Sequence, residues 1–473
     1  MNTRAIGGLI TGLAMVVMGG QAHAAIDGTI DCSGVSGCTL YAEAGFVNTP
    51  DGNEIYGWGF SDVAGKLRYP GPTIDATMGE TVTVSLTNNL PDPDGAGPKG
   101  VDPVSIVFAG QTGVTYSVDG GTTFQPVVPA LGATGHKESL TSMAPEAAAG
   151  QTVIYQFTPT RPGTYYYNSG TFQHKHVDMG LVGAMVIRSG LVSAGGSGRP
   201  LAYTTEDSAY DVEYLQFTSS IDPDQHRRVE RGLDYEASAY QPNYFFVNGR
   251  NYPDTLSGAN AFYLPNQPDS ALLGIYPGER ALFRTVNVDR LVHPMHHHAN
   301  HARIVALNGH EMTSGFEPGR ADLAVDRFSH ATNSGQTVDS IFAWCDGGGD
   351  PFAAVPCADG GAAKFGWDVY GNDAAHPVPV VTPPAFDNPN IAFNYGEAYS
   401  GSPYLGKKGM LPGDVQSISI NQHGEHYMVF HSHFEYELEN AGQRPGGMLT
   451  VIMICMPGEA CAGHDPLTNL PIQ

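Results

Sequence analysis

The stretch GETVTVSLTNNL, residues 79–90, puts Val82, Val84 and Leu86 on one face and threonines and a serine on the other. That period of two marks a half-buried antiparallel strand. The pattern returns far along the chain as GERALFRTVNV, 278–288. A second pair behaves the same way: PGTYYYNSG at 162–170 and HGEHYMVFHSH at 423–433. Each of these precedes a glycine-rich turn and an apolar strand, GLVGAMVI and GGMLTVIMI. A repeat at this range restricts the chain to an all-β fold made of two copies of one β-sandwich, end to end.

The boundaries come from composition. The first sandwich is expected over 25–190, a connecting segment over 191–239, and the second sandwich over 240–473. Within the second, 313–410 is rich in Gly, Pro and Asp and is longer than any hairpin loop, so it reads as a loop-rich insertion. The totals of 60 Gly and 34 Pro suit many short strands and turns rather than long helices. A formal net charge of −24 excludes nucleic acid and anionic membrane surfaces as partners, and is compatible with a metal ion.

Residues 1–24 have the layout of a signal peptide: Arg4, an apolar core from Ile6 to Met18, then Ala22-His23-Ala24 as a cleavage signal. No stretch is long and apolar enough for a membrane span. The expectation is an exported protein, periplasmic or extracellular. Six cysteines fit that compartment and fall as near neighbours: Cys32 with Cys38, Cys345 with Cys357, and Cys455 with Cys461. Local disulfides would leave no thiol for a metal.

Chemistry concentrates in two histidine clusters of the second copy. HPMHHHANH carries His293, His296, His297, His298 and His301, and FHSH carries His431 and His433. Residues two apart in a strand share a face, so His296 pairs with His298 and His431 with His433. If those strands face one another, four imidazoles converge, a donor set suited to copper, zinc or iron. The first copy offers His174 and His176 in QHKHVDM, read as an extended pair able to complete the site or as a surface loop. His297, His301 and His310 read as surface or supporting residues.

Four motifs in order resemble those of the multicopper oxidase family. YPGPTIDATMGETVTVSLTNNL is similar to the opening of its first cupredoxin domain. GTYYYNSGTFQHKHVDMGLVGAMVI resembles its GTYWYHSH segment, HPMHHHANHARIVALNG its HPxHxHG motif, and FHSHFEYELENAGQRPGGM its HCHxxxHxxxxM motif. The resemblance implies Greek-key cupredoxin-like sandwiches, copper, and by analogy with two-domain members a homotrimer. It places His296, His298, His431 and His433 where the family holds trinuclear copper ligands, His293 at a blue-copper histidine, and Met448 near the axial methionine.

The departures are as informative. Ser432 stands at the blue-copper cysteine and Glu437 at its second histidine. In the first copy, Val107, Ala109, Asn168 and Gly170 stand where the family has histidines. A hydroxyl cannot replace the soft thiolate donor. The expectation is an exported copper-binding protein of multicopper oxidase descent, with a reduced His-ligated site and no blue copper. Zinc is the other candidate metal. If the chain is an enzyme it is an oxidoreductase acting on a small reducing substrate. The alternatives are non-catalytic metal capture in the envelope, or a structural or assembly protein that kept the fold. Glu437 and His293 form either a second metal site or a His–carboxylate hydrogen bond.

Overall fold

The computed structural model describes residues 26–92, 101–131, 140–194, 198–275, 279–298, 301–343, 409–410, 420–421 and 426–454. The leader-like N-terminus, His423, and the cysteines at 345, 357, 455 and 461 lie outside the described residues. Strands dominate, and the α-helices among the described residues are Gln173–Met179 and Pro223–Glu230.

The repeat read from the sequence is a repeat of topology. One six-stranded sheet runs, in spatial order, Glu54–Ser61, Cys38–Asn48, Val82–Asn88, Thr152–Phe157, Thr115–Ser117, Gln125–Pro126. Its counterpart in the second unit runs Tyr244–Val247, Val212–Ile221, Arg280–Asn287, Gln336–Ala343, Ala302–Leu307, His310–Glu311, with Val325–Arg327 paired to Ala302–Leu307. The facing sheets match likewise. Gly71–Thr77, Val182–Arg188, Gly163–Asn168 and Val107–Phe108 correspond to Leu273–Ile275, Leu449–Ile454, His426–Ser432 and His293–His297. Even the parallel pairs agree: Cys38–Asn48 with Val82–Asn88, and Val212–Ile221 with Arg280–Asn287.

Each unit encloses its own core between its two sheets. Leu40, Val84, Tyr155, Ile74, Met185 and Tyr167 meet in the first, and Phe283, Phe342, Phe430, Met295 and Ile452 in the second. The alternation of Val82, Val84 and Leu86 is borne out, since all three are buried.

The boundaries differ from the compositional reading. Val212–Ile221 belongs to the second sandwich, not to a connecting segment. It does not alternate because both faces are covered: Leu215 and Phe217 pack on Ile26, Val182 and Val186 of the first unit. Residues 313–343 are no insertion either. Gln336–Ala343 pairs with Arg280–Asn287 over eight positions in the middle of the sheet. Its opening, GQTVDSIF, repeats GQTVIYQF of 150–157, a signal the composition of its surroundings masks. The remainder, 344–408, is outside the described residues.

Candidate metal centre

The strand His293–His297 alternates strictly. His293, Met295 and His297 are buried on the core side, while Pro294 and His296 are half-buried on the outer side. His296 lies directly opposite His431 in the antiparallel ladder. The ladder continues on both sides, with His298 N–H donating to the Val429 carbonyl (2.9 Å) and His433 N–H to the Pro294 carbonyl (2.7 Å). Four imidazoles therefore share the outer face of the five-stranded sheet.

Three of them converge tightly. One ring nitrogen each from His296, His298 and His431 falls within 4.8 Å of the other two. Nε2 of His298 and Nε2 of His431 lie 3.2 Å apart. Two nitrogens bound to one tetrahedral ion at about 2.0–2.1 Å would be separated by about 3.3 Å. His433 stands beside the triad, its ring centroid 5.3 Å from that of His296 and 5.9 Å from that of His431.

Backbone carbonyls hold two of the three rings in a ligating state. Nδ1 of His296 donates to the Phe328 carbonyl (2.6 Å), and Nδ1 of His431 to the Ser432 carbonyl (2.7 Å). A carbonyl only accepts, so each Nδ1 carries the proton and each Nε2 keeps its lone pair. Burial lowers the pKa of His296 and of His431. Burial and the neighbouring imidazoles bring His298 down to about 4. The three rings are neutral at pH 7, the form that binds metal.

On the inner face of the same two strands lie the residues that the resemblance relates to a blue-copper site. His293, fully buried, meets Glu437 Oε1 with Nδ1 (3.0 Å) and Asp289 Oδ2 with Nε2 (3.2 Å). Burial alone would lower its pKa, but the two carboxylates outweigh burial and raise it to about 9. Both of its nitrogens face carboxylate oxygens, so His293 stands apart from the imidazole triad, and no metal-holding group forms around it among the described residues. The hydrogen-bonded alternative for His293 and Glu437 is the one observed. Ser432 Oγ donates to the other Glu437 oxygen. Met448 packs in the apolar core. Asp289, which completes this cluster, escaped the sequence reading. Its one signal is its place four residues before His293.

The first-copy pair is also corrected. His174 and His176 lie on the helix Gln173–Met179, where residues two apart point to different sides. His176 is buried and its nitrogens are engaged by Ser169 Oγ (2.8 Å) and Asp102 Oδ2 (3.2 Å). His174 is exposed, and neither joins the triad. The registers match between the units: Asn168 faces Val107 as His431 faces His296. A Cβ on Gly170 would meet Val107 Cγ2 at 2.8 Å and Ser105 Oγ at 2.9 Å, leaving no room for an imidazole. His297 is not a surface residue. It is buried among Phe283, Phe342 and Phe430. His310 sits exposed beside Arg161, and the half-buried His301 lies beside Phe328.

No protein-family model matches the sequence, and neither does any curated protein. Among solved structures, the chain is similar to a blue copper oxidase from Nitrosomonas europaea at 13% identity, over 88% of this chain and 84% of that one, with a TM-score of 0.49. It is similar to the multicopper oxidase mgLAC at 15% identity, over 89% and 86%, with a TM-score of 0.49. A copper nitrite reductase from Nitrosomonas europaea matches at 17% identity over 68% and 86%, with a TM-score of 0.40. The likeness is one of fold.

Proposed function

We propose that this is an exported copper-binding protein whose centre is built by His296, His298 and His431, with His433 as the neighbouring fourth donor. The observation that carries the reading is the close approach of Nε2 of His298 to Nε2 of His431, 3.2 Å, with His431 locked in the ligating tautomer by the Ser432 carbonyl. An all-imidazole site takes Cu(II) in preference to Zn(II), following the Irving–Williams order. The Cys32–Cys38 disulfide and the leader-like N-terminus support export.

A copper ion held by imidazoles would supply one-electron redox chemistry or a polarised bound water. The chain's own residues restrict the chemistry open to such a site. They orient three neutral rings, leave them half-exposed on a sheet face, and offer no thiolate, because Ser432 stands between His431 and His433. Laccase-type turnover through a blue copper is therefore not part of the proposal. Any oxidoreductase activity belongs to the imidazole site alone.

The test is metal analysis of protein purified without added metal, with Cu(II) and Zn(II) titrations of the wild type and of His298→Ala. The expected result is about one copper per chain, displacement of zinc by copper, and loss of tight binding in the variant. Absence of copper that reconstitution does not restore would transfer weight to the structural or assembly reading.

A further inference from the structure

The two ligand-bearing strands are joined twice, once by their ladder and once underneath it. His293 lies on the strand of His296, and Ser432 between His431 and His433 on the partner strand. Beneath the sheet, Asp289, His293, Glu437 and Ser432 form one hydrogen-bonded chain, and all four are 5% exposed or less. Ser432 Oγ also accepts from the Phe434 N–H (3.2 Å), and Ser432 N–H donates to the Met448 carbonyl (3.0 Å). Gly447 makes the tight return possible: at φ +61°, a Cβ there would stand 1.9 Å from the Glu437 carbonyl oxygen. The Ser432 peptide is thus fixed on every side, and its carbonyl is the group that holds Nδ1 of His431.

We propose that Ser432 and Glu437 are positioning residues for the metal centre: the buried chain clamps the two ligand strands from below and sets the carbonyl that aims His431. This rests on the reading of the imidazole triad as a copper site. In place of the family's electron-carrying thiolate, the serine supplies a hydrogen bond, and the vacated pocket becomes a support for the remaining ligands. Partners that orient a ligating imidazole are worth about ten- to a hundredfold in metal affinity.

The first unit contains its own control. Ser169 follows Asn168 as Ser432 follows His431, and its hydroxyl is tied to His176 and through it to Asp102. That serine anchors a buried polar chain on a face with no imidazole ligands.

The experiment compares the wild type, Ser432→Ala, Glu437→Gln and Ser169→Ala in the full chain, by Cu(II) titration and electron paramagnetic resonance. Ser432→Ala and Glu437→Gln are expected to weaken Cu(II) binding about ten- to a hundredfold and to change the copper hyperfine pattern. Ser169→Ala, which removes the same hydroxyl from the equivalent place, is expected to leave both unchanged. Glu437→Gln decides the matter if Ser432→Ala does not fold. Unchanged affinity and spectrum in the folded variants would overturn the proposal, as would an equal change in Ser169→Ala. A wild type that takes up no Cu(II) would overturn the metal reading first, and this one with it.

Discussion

His293 is a buried cation with two carboxylate partners, and that decides how stability responds to pH. Its pKa is raised to about 9 in the fold, against about 6.5 unfolded. A raised histidine contributes stability that is fully present below pH 6.5 and is lost as pH climbs through 9. Urea unfolding of the wild type should therefore show a falling midpoint between those values, and His293→Gln should flatten the fall. A wild-type midpoint that does not move over this window contradicts the assignment. Glu437→Ala keeps the His293–Asp289 pair but strips the acceptor from two buried donors, His293 Nδ1 and Ser432 Oγ, and should cost about 1–3 kcal/mol for each by chemical denaturation. At this scale the sequence was only partly readable. The histidines of the centre stood out by type and spacing. Asp289 and the Phe328 carbonyl did not, because burial of a carboxylate and the aim of a carbonyl are settled by strands brought together from far apart.

The strand pair His293–His297 and His426–Ser432 sorts its residues by parity, and parity was legible. His296 and His298 face out, whereas His293 and Met295 face in, as a period of two requires. On the inner face His293, Glu437 and Ser432 form one hydrogen-bonded cluster, and Ser432 N–H donates to the carbonyl of the buried Met448. A double variant, Ser432→Cys with Glu437→His, restores a Cys, two histidines and a methionine on those elements. With Cu(II) it should develop an intense thiolate-to-copper absorption that the wild type lacks. A colourless, copper-loaded variant would mean that these elements do not build a blue-copper site. Two elements were misread for physical reasons. QHKHVDM forms a seven-residue helix, too short for a helical period to be visible. VEYLQFTSSI at 212–221 shows no alternation because it is buried on both faces.

Across the whole molecule the two sandwiches are welded. Arg284 of the second unit, 1% exposed, donates to Glu213 (2.8 Å) and reaches Thr164 of the first (2.9 Å), beside the apolar contact of Leu215 and Phe217 with Val182 and Val186. Calorimetry should show one cooperative transition, and two resolved transitions would contradict the weld. Two-copy architecture was legible from the repeats. That the first copy carries no histidines at the matching positions was legible from Val107, Ala109, Asn168 and Gly170, though not the packing around Gly170 that leaves no room for an imidazole there. Among the described residues, three imidazoles gather on a face of the second sandwich, and no such group forms on the matching face of the first. The decisive experiment is anomalous diffraction at the copper edge from crystals grown with Cu(II). One strong peak per chain is expected, bonded to His296, His298 and His431, with none beside Ser432 or Asn168. A map with no peak among those three imidazoles, or with the ion at His293 and Glu437 instead, would refute a copper centre on the outer face of the sheet.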